Sequence, residues 1–292
     1  MIVVAGGTGT LGTRLIPLLA GRGLPVRVLT RDPARAAHLA ELGAEVTLGD
    51  VRDPRSVANA LEGASTVVSA VTGFAGPDKD SLSSVDEAGN ACMISAAAGT
   101  GATFVLVSVV GAARHHPMGL FRSKHAAEEA LRASSLPWTI VRATAFMETW
   151  GAIMGQMLRS TGKVLVFGRG DNPVNFVSAT DVTALIERSV TDTRLRGQVL
   201  ELGGPDNLTL NQVAALVQEA TGQHGTVRHI PRLALRAMAL LTTGIKPVLA
   251  RQARAALAMD TIDLTFDPAP TRQALPGLPN TDMPSALKQL LA

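Results

Sequence analysis

Ile2-Val3-Val4-Ala5-Gly6-Gly7-Thr8-Gly9-Thr10-Leu11-Gly12 opens the chain, and its reading decides the fold. The first four residues form a short apolar, β-branched run. The glycines follow at once, and then Leu11, Leu15, Leu18 and Leu19 recur at helical spacing. The order is strand, glycine turn, helix. Gly7-x-Gly9-x-x-Gly12 fits the dinucleotide fingerprint, and Gly6-x-x-Gly9-x-x-Gly12 fits its wider-spaced variant. Residues without a Cβ allow a tight turn, close approach of the backbone to a pyrophosphate, and close packing of helix on strand. The free N–H groups at the helix start then face the phosphates. Gly6, Gly7, Thr8, Gly9, Thr10, Leu11 and Gly12 are therefore candidate cofactor contacts. The alternative is a glycine-rich turn that binds nothing.

Outward from this stretch, apolar strands alternate with helical patterns. Pro25–Leu29, Ala44–Leu48, Thr66–Ala70, Phe104–Ser108 and Trp138–Arg142 read as strands. Helices are expected from Thr10 to Arg22, after Asp32-Pro33, from Asp53-Pro54 to Leu61, over Val85–Ala98 and over Leu120–Ser134. This alternation predicts an α/β, doubly wound parallel sheet with helices on both faces. After Arg142 the pattern loosens. A helix near Glu148–Arg159, short strands around Gly168-Arg169-Gly170, a helix capped by Thr180-Asp181 and another capped by Thr209 are expected there. Pro231–Met259 reads as two helices broken near Gly244 and Pro247. The expected division is 1–143, a nucleotide-binding domain, and 144–292, a smaller α/β C-terminal substrate lobe interleaved with the last strands of the sheet.

Composition narrows the function. The 292 residues are 46% hydrophobic with net charge +3, enough to bury a core. The basic residues are mostly scattered singly, which argues against nucleic acid. One cysteine, Cys92, excludes an internal disulfide and a cysteine-only metal cluster; no His/Asp/Glu cluster has metal-ligand spacing. No apolar run approaches the ~18 residues of a membrane span, so no stable membrane insertion is expected. No basic and apolar leader pattern opens the chain, and a cytoplasmic location is the default expectation.

The residue ending the second strand of such folds reads the adenosine ribose: an acid takes a 2′-hydroxyl, a base accommodates a 2′-phosphate. Here Thr30 stands at that place and Arg31 follows. The forked guanidinium suits phosphate, so NADP(H) is favoured over NAD(H). The alternative leaves Arg31 solvated and gives the ribose to Asp32. Asp50-Val51 are placed to line the adenine, and Ser69-Ala70-Val71 the middle of the cofactor.

Gly6 to Gly12, Val26 to Arg31, Gly49-Asp50-Val51, Ser108, Lys124 with Glu128, Asn175 to Asp181 and Leu202-Gly203-Gly204-Pro205 resemble the atypical short-chain dehydrogenases, and most closely the NmrA-like NAD(P)H-binding proteins. The resemblance spans most of the chain to about residue 220. It implies a Rossmann domain and a nicotinamide dinucleotide, usually NADP. It leaves activity open, because the group includes reductases of isoflavone-like substrates and quinones alongside cofactor sensors and assembly factors without turnover.

Standard members use Tyr-x-x-x-Lys, the Tyr hydroxyl exchanging a proton with the carbonyl oxygen. Lys124 matches the Lys, Leu120 stands at the Tyr position, and the chain contains no Tyr. Lys124 is then the candidate catalytic residue, polarising a carbonyl, with ribose binding as its other role. Glu128 either orients Lys124 or forms a solvated pair with it. Ser108, at the end of a strand, either touches substrate or caps the turn. His115 in the next loop is a candidate substrate contact or an ordinary exposed histidine. Phe146, Met147 and Trp150 suit an apolar substrate wall, although helical core packing explains the same spacing. The Leu233–Met259 helices read as a lid, a dimer face, a membrane-surface element or ordinary packing. The expectation is a reductase of an apolar carbonyl, enone or quinone, against a non-catalytic NADP(H) sensor or assembly factor. A homodimer is compatible with either.

Overall fold

The computed structural model describes residues 1–76 and 80–291. The chain divides into two compact units. The first holds Met1–Arg142 and Val182–Glu201; the second holds Ala143–Asp181 and Leu202–Ala292.

In the first unit β1 (Ile2–Ala5) leads through the glycine turn into α1 (Gly12–Gly21) and returns in β2 (Val26–Thr30). A 3-10 turn over Pro33–Ala36 and the single-turn α2 (Ala37–Ala40) precede β3 (Glu45–Leu48), α3 (Pro54–Leu61) and β4 (Thr66–Ser69). A π-helical stretch, Leu82–Gly89, runs into α4 (Asn90–Ala98), followed by β5 (Thr103–Val109), α5 (Gly119–Arg132) and β6 (Trp138–Ala143). With β10 (Gln198–Leu202) these make a seven-stranded sheet in the order β10-β6-β5-β4-β1-β2-β3. The strands from β5 to β3 run parallel, with β1 between β2 and β4. This is a Rossmann-like sheet, and the order reverses at β1, where such folds bind ligands.

Alternation along β1 divides the core. Val3 and Ala5 join Val57, Leu61, Val67, Met93, Phe104, Leu131 and Ile140 under α3, α4 and α5. On the other face, Val28 meets the turn before α1, whose Leu15, Ile16 and Leu19 are fully buried. Helices cover both faces, as the near-continuous apolar strands predict.

The second unit contains β7 (Ala145–Phe146), α6 (Met147–Thr161), β8 (Lys163–Phe167), β9 (Pro173–Val177), the start of α7 (Ala179–Thr191), β11 (Asn207–Thr209), α8 (Leu210–Thr221) and β12 (Thr226–Ile230). It continues with α9 (Arg232–Leu241), α10 (Pro247–Met259), α11 (Ala269–Ala274) and α12 (Met283–Leu291). β9 pairs antiparallel with β11 and parallel with β7, while β8 and β12 form a separate parallel ribbon. Asn175 ties this unit together: its side chain receives Thr144 Oγ1 and Gly204 N, and donates to Gly204 O and Asn207 Oδ1. A Cβ on Gly204 would stand inside the Phe176 carbonyl, so only glycine fits there.

Three local expectations are corrected. The helix after Asp32-Pro33 is a 3-10 turn with one α turn, because Asp32 caps Ala34 and few residues remain before β3. The helix expected over Val85–Ala98 starts earlier and begins with π geometry. Thr180-Asp181 does not cap α7. Ser178 does so, its Oγ accepting from Thr180 N, and the Glu148 carboxylate supports it by accepting from Ala179 N and Ser178 Oγ, while Asp181 accepts from Thr281 and Arg272. Burial raises the Asp181 carboxyl above its ordinary value despite those donors.

Candidate functional site

A cleft of about 860 Å³ opens at the carboxyl ends of β1, β2, β3 and β4, wholly within the first unit. Gly6, Thr8 and Gly9 form its floor, and each glycine of the loop has its own task. Gly6 has φ +86, and a Cβ there would stand 2.6 Å from Ala70 O. A Cβ on Gly7 would meet Val28 and Ile16, and one on Gly12 would lie 2.3 Å from Gly7 Cα, so these two seat α1 on the sheet. Gly9 is different, since a Cβ would meet only Gly6 O at 3.3 Å. Its bareness serves the cleft. The N-cap of α1 is Leu11, which supplies no side-chain acceptor; Thr13 N donates to Gly9 O and Arg14 N to Leu11 O, so an anion here would be drawn by the positive end of the helix dipole rather than by a row of free N–H groups. The loop therefore fits a diphosphate.

The outer end of the cleft is arginine-rich. Thr30, Arg31, Asp32, Arg35, Asp50, Val51, Arg52 and Asp80 line it. Arg31 Nη1 lies 2.6 Å from Asp80 Oδ2, and Arg52 bridges Asp80 Oδ1 at 3.0 Å to the Asp50 carboxylate. Arg35 donates to Thr8 O at 3.3 Å, tying the turn after β2 to the glycine loop. The hydrogen bond from Arg52 holds the Asp50 carboxyl below its ordinary value. Asp32 spends one oxygen on Ala34 N, capping the 3-10 turn. Arg35, Arg52 and Asp80 escaped the sequence reading. Arg52 lies two residues past Asp50 and Arg35 three past Asp32, so spacing offered a signal for both; Asp80 had none.

Val71, which lines the cleft, is tied to a buried polar network outside the lining. Lys124 Nζ donates to Val71 O at 2.8 Å and pairs with Asp86 Oδ1 at 3.0 Å. The other Asp86 oxygen accepts from Gly73 N at 2.7 Å. Of the three donors of an ammonium, these contacts use two. Ser69 turns inward to Asn90, whose amide donates to Asp86 O. The π-helical start of the fourth helix carries Asp86 to Lys124.

Glu128 departs from expectation. It is fully buried, and it pairs with Arg142 at 2.6 Å and Arg132 at 3.0 Å rather than with Lys124. It also receives Ser108 Oγ at 2.5 Å. Burial pushes its carboxyl up, but the bonds from Arg142 and Ser108 outweigh that and leave it below its ordinary value. The reason is geometric: Lys124 and Glu128 share a helix face, but each finds a better-placed partner across the unit.

Of the loop and strand-end residues expected to hold cofactor, Gly6, Thr8, Gly9, Thr30, Arg31, Asp50, Val51, Ala70 and Val71 line the cleft. Gly7, Thr10, Leu11, Gly12, Ser69 and Lys124 lie outside its lining. Gly7 and Gly12 pack the helix, Leu11 is buried, and Ser69 and Lys124 stand behind Ala70 and Val71. His115 is exposed in its loop; His116 stacks on Phe121 at 4.0 Å and accepts from Met118 N. Neither lines the cleft. Phe146, Met147 and Trp150 belong to the second unit. Met147 is only 1% exposed and packs under Gly204, which corrects its reading as a substrate wall. Trp150 sits edge-on to Phe167 and Phe176, with ring centroids 6.1 and 6.3 Å away. Phe146 is half-buried at the N-cap of α6.

Comparison with known proteins agrees with this architecture. The sequence matches the NmrA-like family over residues 1–262. It is 31% identical over 224 residues to the NAD(P)H azoreductase of Xenophilus azovorans, covering 76% of this chain and 74% of that protein. It is 27% identical over 237 residues to the photosystem II assembly factor Ycf39 of Trieres chinensis, covering 80% and 73%. The Escherichia coli NADPH-dependent quinone oxidoreductase QOR2, solved with NADPH, has a TM-score of 0.78 over 100% of both chains at 22% identity, a likeness of fold.

Proposed function

The chain belongs to the NmrA-like family, and on that premise we propose that it is an NADP(H)-dependent oxidoreductase acting on an apolar carbonyl, enone or quinone. One observation carries the cofactor reading: the glycine loop leading into α1, with its bare Gly9, lines the same cleft as Arg31, Arg35 and Arg52. A diphosphate fits the first and a 2′-phosphate the second, and fork-shaped guanidinium groups suit phosphate oxygens. NADH is the weaker ligand because Asp32 is engaged as a cap. The azoreductase relative supports the same cofactor class.

Reduced nicotinamide bound there supplies a hydride. The chain's own contribution is to hold and polarise. Lys124 is buried and paired with Asp86, and its role would be to offer an N–H to a ribose hydroxyl or to an oxygen gaining charge. Ser108 is a proton donor bound to Glu128, so its role is to orient rather than to act as a base. Phe146 and Trp150 offer apolar surface in the second unit.

The test is oxidation of NADPH in the presence of a panel of quinones, enones and ketones. Lys124→Ala alone would leave the Asp86 carboxylate buried and unpaired, at about 3–5 kcal/mol. Lys124→Met combined with Asp86→Asn removes both charges. Substrate-dependent NADPH loss in wild type that disappears in this folded double variant supports the reading. NADPH binding without turnover across the panel overturns it in favour of a second reading, a non-catalytic NADP(H) sensor or assembly factor. Leu120 at the tyrosine position favours that second reading, and the Ycf39 relative supports it.

A further inference from the structure

The helical hairpin α9–α10 is apolar on two sides. At 100° per residue, Leu235 and Ala239 fall on one face of α9, and both are buried. Leu233, Ala237, Leu240 and Leu241 fall on the opposite arc. Leu233, Leu240 and Leu241 are 75–77% exposed, and Ile245 in the hairpin turn is 80% exposed. Four of the seven large apolar side chains exposed on the described surface thus sit within thirteen residues. Isolated exposed leucines are ordinary, whereas a contiguous outward stripe marks an interaction surface.

Charge identifies what the stripe fits. Residues 220–259 contain Arg228, Arg232, Arg236, Lys246, Arg251 and Arg254 but no Asp or Glu, in a chain with 24 acidic residues. Arg232 is paired with Asp260, and Arg254 donates to Ala239 O and Thr243 Oγ1. Arg236 borders the leucine arc and Lys246 follows Ile245; both are exposed. Two copies placed face to face across such a patch would bring like charges together. An apolar stripe edged by cations is complementary to an anionic bilayer surface, where leucines enter the headgroup–acyl boundary and lysine or arginine meets lipid phosphate. No helix among the described residues is long and apolar enough to cross a membrane, so the contact is one of lying on the surface.

We infer that the α9–α10 hairpin docks this protein on anionic lipid bilayers. The inference stands independently of the cofactor reading.

The full chain should co-sediment with vesicles of phosphatidylcholine mixed with phosphatidylglycerol, and much less with phosphatidylcholine alone. High salt should release it, because surface charge is screened. Replacing Leu233, Leu240, Leu241 and Ile245 together by Ser changes exposed side chains only. It should leave the melting temperature unchanged and lower partitioning about tenfold or more. Arg236→Ala and Lys246→Ala should each lower it about fivefold. Absence of binding to the anionic vesicles overturns the inference, as does undiminished binding by the quadruple variant. It is also overturned if sedimentation velocity shows a wild-type dimer that the quadruple variant loses, since the stripe would then be a subunit interface.

Discussion

At the scale of single residues, the cleft's outer end is a contest between anions. Asp80 already bridges Arg31 and Arg52, the place a phosphate dianion would occupy. Arg31→Ala should therefore weaken NADPH about tenfold or more while moving NADH by less than about twofold, read by titrating cofactor fluorescence. Equal losses for both cofactors would remove Arg31 from phosphate recognition. Asp80→Asn should act the other way and tighten NADPH about fivefold, because a competing carboxylate is gone. Gly12→Ala tests the loop itself. With its Cβ 2.3 Å from Gly7 Cα, α1 must lift from the sheet, and urea unfolding should register a loss of about 2 kcal/mol or more.

At the scale of elements, helix ends and close approaches determine stability. α7 starts against the Glu148 carboxylate, which satisfies Ala179 N and Ser178 Oγ in a buried setting. Glu148→Ala should cost about 2–3 kcal/mol in denaturant unfolding, more than an ordinary exposed cap, since buried donors are left unmet. Thr209 and Gln212 make a reciprocal capping box at the start of α8, a signal visible in sequence. The Glu148 contact was not visible, because the acid lies 31 residues before the N–H it serves. Likewise Gly151 and Gly155 read as ordinary helix positions. They are small because α12 packs on them: a Cβ at Gly151 would stand 2.5 Å from Leu287.

At the scale of the whole molecule, pH dependence follows from buried pairs. The folded Glu128 carboxyl lies below its unfolded value, so its contribution to stability is complete above about 4.3 and is lost as pH falls through the lowered folded value. The melting temperature of wild type should exceed that of Glu128→Gln near neutrality, and the gap should close as the solution is acidified below that range. A gap independent of pH would mean that the Arg132, Arg142 and Ser108 contacts do not depend on the charge.

The sequence by itself determined the strand–glycine turn–helix opening, the alternation that builds a parallel sheet with helices on both faces, and the absence of a tyrosine four residues before Lys124. These are local features: spacing of a few residues fixes periodicity, turn geometry and helix start, whatever lies elsewhere. Only the tertiary structure decided the partners. It gave Lys124 to Asp86 rather than to Glu128, gave Glu128 to Arg142 and Ser108, added Arg35, Arg52 and Asp80 to the cleft, and buried Met147. Side-chain pairing depends on which groups the folded backbone brings within about 3 Å in a low-dielectric interior, where an unpaired charge is costly. Separation along the chain carries no record of that distance.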